Sequence, residues 1–204
     1  MRRSAVWMPH MVACLLLITF APAQGELVLY EDREAFMEAI LDQQVLLDNF
    51  ENLENGYYAD PIVRSEGTDF EYSLSSSSIV GLMAQDLLIS TTLPKSVIEL
   101  ATGAVQAIGG EFTLTDYEGL PIAGHLRITL QDGTVVTRSI SDSTVFIGVL
   151  GVGESVTSLS VGATANAPLV TVGSMVIAAP AAGVLPMAFI PVFFFSRVRR
   201  SRRK

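Results

Sequence analysis

Short apolar segments separated by Gly, Pro, Asp and Ser fill the middle of this 204-residue chain, and two longer uncharged runs bracket them. Phe70, Tyr72 and Leu74 alternate with Glu71 and Ser73, the period-two signature of a half-buried strand, and the serines at 75–78 read as the loop that follows. Strand signals become denser from residue 87. Residues 87–92 and 97–101 bracket a turn at Pro94, and 105–115 read as one further strand in which Gly109-Gly110 predicts a bulge. Residues 125–130 and 134–140 flank Gln131-Asp132-Gly133, the strongest hairpin signal in the chain. Residues 145–150, 155–161 and 169–177 complete the set, while 45–50 is a short apolar run before an Asn/Glu/Gly-rich loop at 51–60. One segment keeps a different period. In residues 31–41, Ala35, Phe36, Ala39 and Ile40 share a helical face, and acidic residues crowd the first turn, where the helix dipole favours them.

Many short strands punctuated by turn residues, with one short N-terminal helix, predict an all-β, antiparallel β-sandwich. A jelly-roll-like arrangement is preferred, with an immunoglobulin-like one as the alternative. The flanking runs add two addresses. Arg2 and Arg3 precede an apolar stretch at 11–20, and Ala21-Pro22-Ala23 supplies a small-x-small site, so a signal peptide over 1–23 would be cut between Ala23 and Gln24. Cleavage would remove the sole Cys (Cys14) and the sole Trp (Trp7), leaving a domain that folds without disulfides. At the other end, uncharged sequence through Ser196 meets Arg197, Arg199, Arg200, Arg202, Arg203 and Lys204. With 24–177 as the extracytoplasmic domain, 178–196 is expected to be a C-terminal transmembrane helix and 197–204 a basic cytoplasmic tail. Nineteen helical residues reach roughly 28 Å, just enough for a bilayer core, although Pro180, Pro186 and Pro191 interrupt them.

Charge follows the same division. All 21 acidic residues lie between Glu26 and Glu154, an interval with five basic ones (Arg33, Arg64, Lys95, Arg127 and Arg138), so the domain carries −16 and the tail +6. Such a domain repels nucleic acid, and the basic end reads as a positive-inside signal. The expected location is the inner membrane with the domain outside the cytoplasm.

The arrangement resembles bacterial proteins with a PEP-CTERM sorting signal: signal peptide, variable ectodomain, Pro-Glu-Pro-like motif, one hydrophobic span and an Arg-rich terminus. Pro180 matches the family's second proline, with Ala178 and Ala179 in place of its first proline and its glutamate, and Arg197, Arg199 and Arg200 match the basic end. The resemblance implies signal peptidase and an exosortase-like sorting enzyme as partners. It also implies retention in the envelope or extracellular polysaccharide. Segments such as 32–36, 48–51, 128–134, 146–149 and 156–161 are similar to ectodomains that such proteins carry, which implies a sandwich without an activity to transfer.

Candidate chemistry is sparse. A Ser-His-Asp arrangement would need His125 at a strand end, where a lone histidine is ordinarily a surface residue, and one His without Cys disfavours zinc. No cofactor is expected, with calcium the one live option: Asp48, Glu51, Glu54 and Asp60 cluster in an oxygen-rich stretch, which otherwise reads as a solvated acidic loop. Tyr57-Tyr58 is the best aromatic pair for a sugar platform, against partial packing as the plainer reading. A glycosidase would need two carboxylates set by tertiary geometry. The sequence therefore reads as a non-enzymatic surface or matrix protein, with a carbohydrate- or calcium-binding module as the alternative and a glycan-active enzyme behind both.

Overall fold

A computed structural model describes residues 25–164 and 168–180. In chain order the elements are β1 (Glu26–Tyr30), α1 (Arg33–Ala39), β2 (Gln44–Asp48), β3 (Gly56–Tyr58), β4 (Ile62–Arg64), β5 (Tyr72–Ser76), β6 (Leu82–Gln85) and β7 (Leu88–Thr91). They continue with β8 (Val97–Val105), β9 (Ala107–Thr115), β10 (Gly124–Leu130), β11 (Val135–Ile140), β12 (Val145–Val152), β13 (Val156–Ala163) and β14 (Leu169–Ala179). All the pairings are antiparallel, and they form two sheets. Sheet A runs β1-β12-β9-β14-β7-β6-β3, with β2 also on β14, and sheet B runs β11-β10-β13-β8-β5-β4. Ile108, Phe112, Leu114, Val170, Val172 and Ile177 of sheet A meet Leu74, Ile98, Leu100, Leu126, Ile128 and Val161 of sheet B in one core. The expected antiparallel β-sandwich is what the chain forms.

β14 shows how an almost unbroken apolar run serves two faces. Val170 and Val172 are core residues at even positions; Met175 and Ile177 are core residues at odd ones. The parity changes because Val172 pairs with Phe112 and Ser174 with Glu111, leaving Gly173 as an extra residue. A one-residue slip sends every side chain to the opposite face. The bulge is therefore in β14 at Gly173, and Gly109-Gly110 lies in regular β9. Val176 and Ala178 consequently point outward, where they join Ala107, Phe146 and Leu150 in a second apolar cluster beneath Phe36 and Ile40 of the α1 segment.

That helix is shorter than expected. Asp32 caps it, its Oδ1 accepting from the Ala35 N–H at 2.7 Å, and α1 ends at Ala39. Phe36 and Ile40, one turn apart, are fully buried, whereas Ala35 and Ala39 are exposed rather than part of the buried face. Phe36 lies over paired glycines: Gly109 and Gly148 are cross-strand partners, and an added Cβ would come within 3.2 Å and 2.5 Å of its ring. These glycines provide room for an aromatic ring, which explains why no bulge forms there.

Other boundaries shift for local reasons. The expected strand at 105–115 divides at Gln106, which crosses from sheet B to sheet A; its N–H donates to Ala178 O at 2.7 Å and its carbonyl accepts from Gly151 N at 2.9 Å. β5 continues through Ser76 into the expected loop, and the Asn/Glu/Gly-rich loop contains β3. Leu87 belongs to a turn with Asp86, both at positive φ, and not to the strand after it. The hairpin at 131–133 forms as expected, with Gly133 at φ 85° and Leu130 N–H donating to Thr134 O at 2.9 Å.

The end of β14 also corrects the expected start of the membrane segment. Ala178 pairs with Val45 and Ala107, and Ala179 pairs with Gln44, so both are buried strand residues. A helix cannot begin at 178. Among the described residues no helix is long and apolar enough to cross a membrane; 181–196, Arg197, Arg199 and Arg200, like 1–23 with Ala23 and Gln24, lie outside the described residues. β1 begins beside Val152, and Ala107 pairs with both Leu150 and Ala178, so β1 begins and β14 ends at the same end of the sandwich.

The glycine pocket is directly testable. Gly148→Ala should lower unfolding stability by about 1–3 kcal/mol through overpacking against Phe36. Gly103→Ala, where an added Cβ meets nothing within 4 Å, should stay within roughly 0.5 kcal/mol in the same urea titration. Equal effects would show that Phe36 is not held as described.

Candidate functional site

α1 covers only part of the outer face of sheet A. The remainder, toward the start of β14, is an open groove with two lobes of about 240 and 360 Å³ that share Leu88, Thr115, Gly119 and Thr171. Its floor follows from strand periodicity. In β9, Ile108, Phe112 and Leu114 face the core, which turns Glu111, Thr113 and Thr115 outward.

Hydroxyls line the floor in a row across strands. Thr171 Oγ1 lies 2.8 Å from Ser90 Oγ and 3.0 Å from Thr115 Oγ1, and Thr113 Oγ1 lies 2.8 Å from Thr144 Oγ1. Thr171 and Thr115 are buried and partnered within the row, while Ser90 and Thr113 are half-buried and Thr144 is exposed. Each hydroxyl has one donor and two acceptor positions, so the row keeps unused capacity at its accessible ends. Glu111 is neutralised by Arg33 at the start of α1, Nη1 to Oε1 2.7 Å, and this pair forms the boundary with the helix.

Two tyrosines flank the floor. Tyr57 pairs with Met83, so it projects from the same face, and Met83 lines the groove. Its ring is 73% exposed. Tyr117, 68% exposed, stands on the loop after β9. That loop is stiff: Asp116 Oδ1 accepts from the N–H groups of Glu118 and Leu120, each at 2.9 Å, and Gly119 supplies φ 81°. The turn between β6 and β7 adds Leu87 at φ 68°, a left-handed conformation that costs a non-glycine residue about 1–2 kcal/mol.

The candidates singled out from sequence are mostly not brought together. Tyr57 and Tyr58 are adjacent in β3 and therefore face opposite ways; Tyr58 packs toward the core with its hydroxyl donating to Glu54 O at 2.8 Å. They form no paired platform. Asp48 is not available to calcium, because Arg64 Nε and Nη2 reach its carboxylate at 2.8 and 2.9 Å, Tyr72 OH at 2.7 Å and Phe50 N at 2.9 Å. Glu51 accepts from Asn49 Nδ2 at 2.6 Å. Among the described residues no three His, Cys, Asp or Glu side chains converge in a way that could hold a metal. His125 Nδ1 lies 2.9 Å from Ser139 Oγ in an exposed pair. The sequence signal for the groove was present in the alternation of Thr113 and Thr115 with Phe112 and Leu114, but strand order alone decides which hydroxyls share a face.

The Asp48 network joins β2 of sheet A to β4 and β5 of sheet B. Burial opposes ionisation of Asp48, but hydrogen bonds from Arg64, the Phe50 amide and Tyr72 outweigh it and hold the carboxyl below the ordinary aspartate range. Burial, with the adjacent Asp48 carboxylate, pushes the Tyr72 hydroxyl far above its usual value, so it remains a donor. Arg64 is raised chiefly by its bonds to Asp48.

No known family profile matches the chain, and no curated protein matches it. Solved structures with a similar outline include a family two carbohydrate esterase from Cellvibrio japonicus, at 6% identity and TM-score 0.42, over 67% of this chain and 34% of that one. A CBM29-2 mutant complexed with mannohexaose aligns at 12% identity and TM-score 0.40, over 68% and 93% of the two chains. The CBM22-1 xylan-binding domain of Xyn10C from Paenibacillus barcinonensis aligns at 14% and 0.37, over 69% and 97%. This chain thus spans about a third of the esterase, and likeness at this level decides nothing about a ligand.

Because the folded-state pKa of Asp48 is depressed, its contribution is complete above the unfolded aspartate value near 4 and is lost as pH falls through the folded value. Asp48→Asn should cost about 3–5 kcal/mol at pH 7 by leaving Arg64 without its counter-charge. The variant should also show a shallower loss of stability than the parent as pH falls below about 4 in acid titrations. Parallel acid curves would remove Asp48 from the account.

Proposed function

We propose that this is an exported, non-catalytic, jelly-roll-like surface domain that binds a neutral polysaccharide in the groove on sheet A. The observation carrying the proposal is the uncovered half of that sheet: a floor of mutually bonded hydroxyls beside the exposed side chain of Leu88, between two exposed tyrosines, with the carboxylates of Asp86, Asp116 and Glu118 on the flanking turns. Sugar rings offer both an apolar C–H face, which stacks on an aromatic ring, and hydroxyls that pair with hydroxyls. Four strand spacings separate β3 from β9, so the face extends roughly 19 Å, suited to a chain of sugar units. Strain at Leu87 on the rim fits a shape kept for binding. Asp48, the carboxylate whose titration is clearly displaced, is bonded to sheet B and serves the fold, which favours binding over catalysis.

The envelope location belongs to the same proposal. The signal peptide, the acidic domain and the basic end support export and tethering, with Pro180 and the residues after it as the sorting segment and an exosortase-like enzyme and signal peptidase acting on the chain. Eight residues separate Thr171 from Ala179, roughly 26 Å of strand, so a tether leaving at Ala179 would hold the groove well away from the membrane.

One preparation tests both halves. Protein recovered from cells should have an intact mass beginning at Gln24, and should be retarded in gels containing at least one of mannan, xylan or β-glucan. Tyr57→Ala and Tyr117→Ala should each weaken that retardation by about tenfold, a loss of roughly 1–2 kcal/mol per aromatic contact, with unchanged melting. An uncleaved N-terminus would overturn the export reading. Failure of all three polymers to retard the protein, or full retardation of both variants, would overturn the binding reading.

A further inference from the structure

Sheet B carries a site of different character. In the acidic domain, three of the five basic side chains are matched to carboxylates: Arg33 to Glu111, Arg64 to Asp48 and Arg138 to Glu31. Lys95 and Arg127 are the other two, and among the described residues neither has a carboxylate within ion-pairing distance. Both line one depression of about 530 Å³ on the outer face of sheet B, opposite the groove on sheet A. Pairing explains its shape: Arg127 lies across from Gly162, which has no side chain to fill the space, and Thr129 lies across from Ser160, which in turn faces Glu99. The site therefore sets two cations around a low floor with the hydroxyls of Thr129, Ser160 and Thr164 and one carboxylate beside them. Lys95 is held there at φ 61°, a conformation disfavoured for a side-chain-bearing residue.

In a domain with a net charge of −16, surface cations have many possible partners, so two left unpaired in one depression require a different explanation. We infer that this depression binds an anionic sugar unit of a polysaccharide, its carboxylate held by Arg127 and Lys95 and its hydroxyls by Glu99, Thr129 and Ser160. The guanidinium fork matches a carboxylate in two parallel hydrogen bonds, whereas the ammonium supplies a point charge. Glu99 and the acidic surroundings disfavour densely charged polymers and leave room for a singly charged sugar with free hydroxyls.

The test uses the full chain and oligogalacturonate as the probe, followed by calorimetry in low salt. The parent should bind it, and the same oligomer with its carboxyls reduced to alcohols should not. Arg127→Gln and Lys95→Gly should each weaken binding by about tenfold or more. Lys95→Gly relaxes a strained φ, so it must melt at or above the parent temperature, which separates lost binding from lost folding. Retardation by neutral polysaccharide should be unaffected in both variants, because that groove lies on the other sheet; its failure would bear on the groove alone. No binding of oligogalacturonate, or equal binding by Arg127→Gln, would overturn the site. Equal affinity for inorganic phosphate or for a sulfated oligosaccharide would overturn the assignment to a carboxylate sugar.

Discussion

The fold and its open surface both depend on the contact between Phe36 and the paired glycines Gly109 and Gly148. Sheet A must bury both faces near the end of β14 and only one near its beginning. Gly173 makes this possible by shifting the parity of β14, so that Val176 and Ala178 emerge on the outer face as Met175 and Ile177 turn inward. A single short helix then covers the apolar half, and the depth at which its ring lies is set by the missing Cβ atoms below it. What the helix leaves uncovered mixes a row of hydroxyls with exposed apolar side chains such as Leu88, and that remainder is the groove.

Charge is spent on construction where it is buried. Asp48, Arg64 and Tyr72 fasten one side of the sandwich between the sheets, whereas the pair of Arg138 in β11 with Glu31, just after β1, lies exposed on the opposite side and contributes little. A buried ion pair is retained only where hydrogen bonds satisfy it, and the four donors around Asp48 meet that condition. The groove floor, in contrast, holds hydroxyls already arranged by their mutual bonds. Preorganisation of this kind lowers the ordering cost of binding.

Much of this was legible from residue order. Alternation located β5, segments between turn residues located β10, β11 and β14, and the Asp-Gly turn chemistry located the hairpin at Gly133. The helix was visible in Phe36 and Ile40, although only contact with the sheet reveals that Ala35 and Ala39 face water. Gly109 and Gly110 were misleading, because a strand glycine signals either a bulge or a close approach, and the choice depends on a ring 73 residues earlier in the chain. Tyr57-Tyr58 misled for the opposite reason: neighbours in sequence are opposites in a strand. The groove and the Lys95–Arg127 depression were not legible, since both arise from strands brought together out of sequence order.

The central claim is that sheet A presents a polysaccharide-binding face beside α1. Its most direct test is amide chemical-shift mapping during titration with a neutral oligosaccharide that retards the protein. The account predicts shifts concentrated at residues 83–90, 111–119 and 169–173, with Tyr57 at one edge and little change across β10, β11 and β13. Shifts confined to sheet B, or scattered without a focus on these strands, would contradict it.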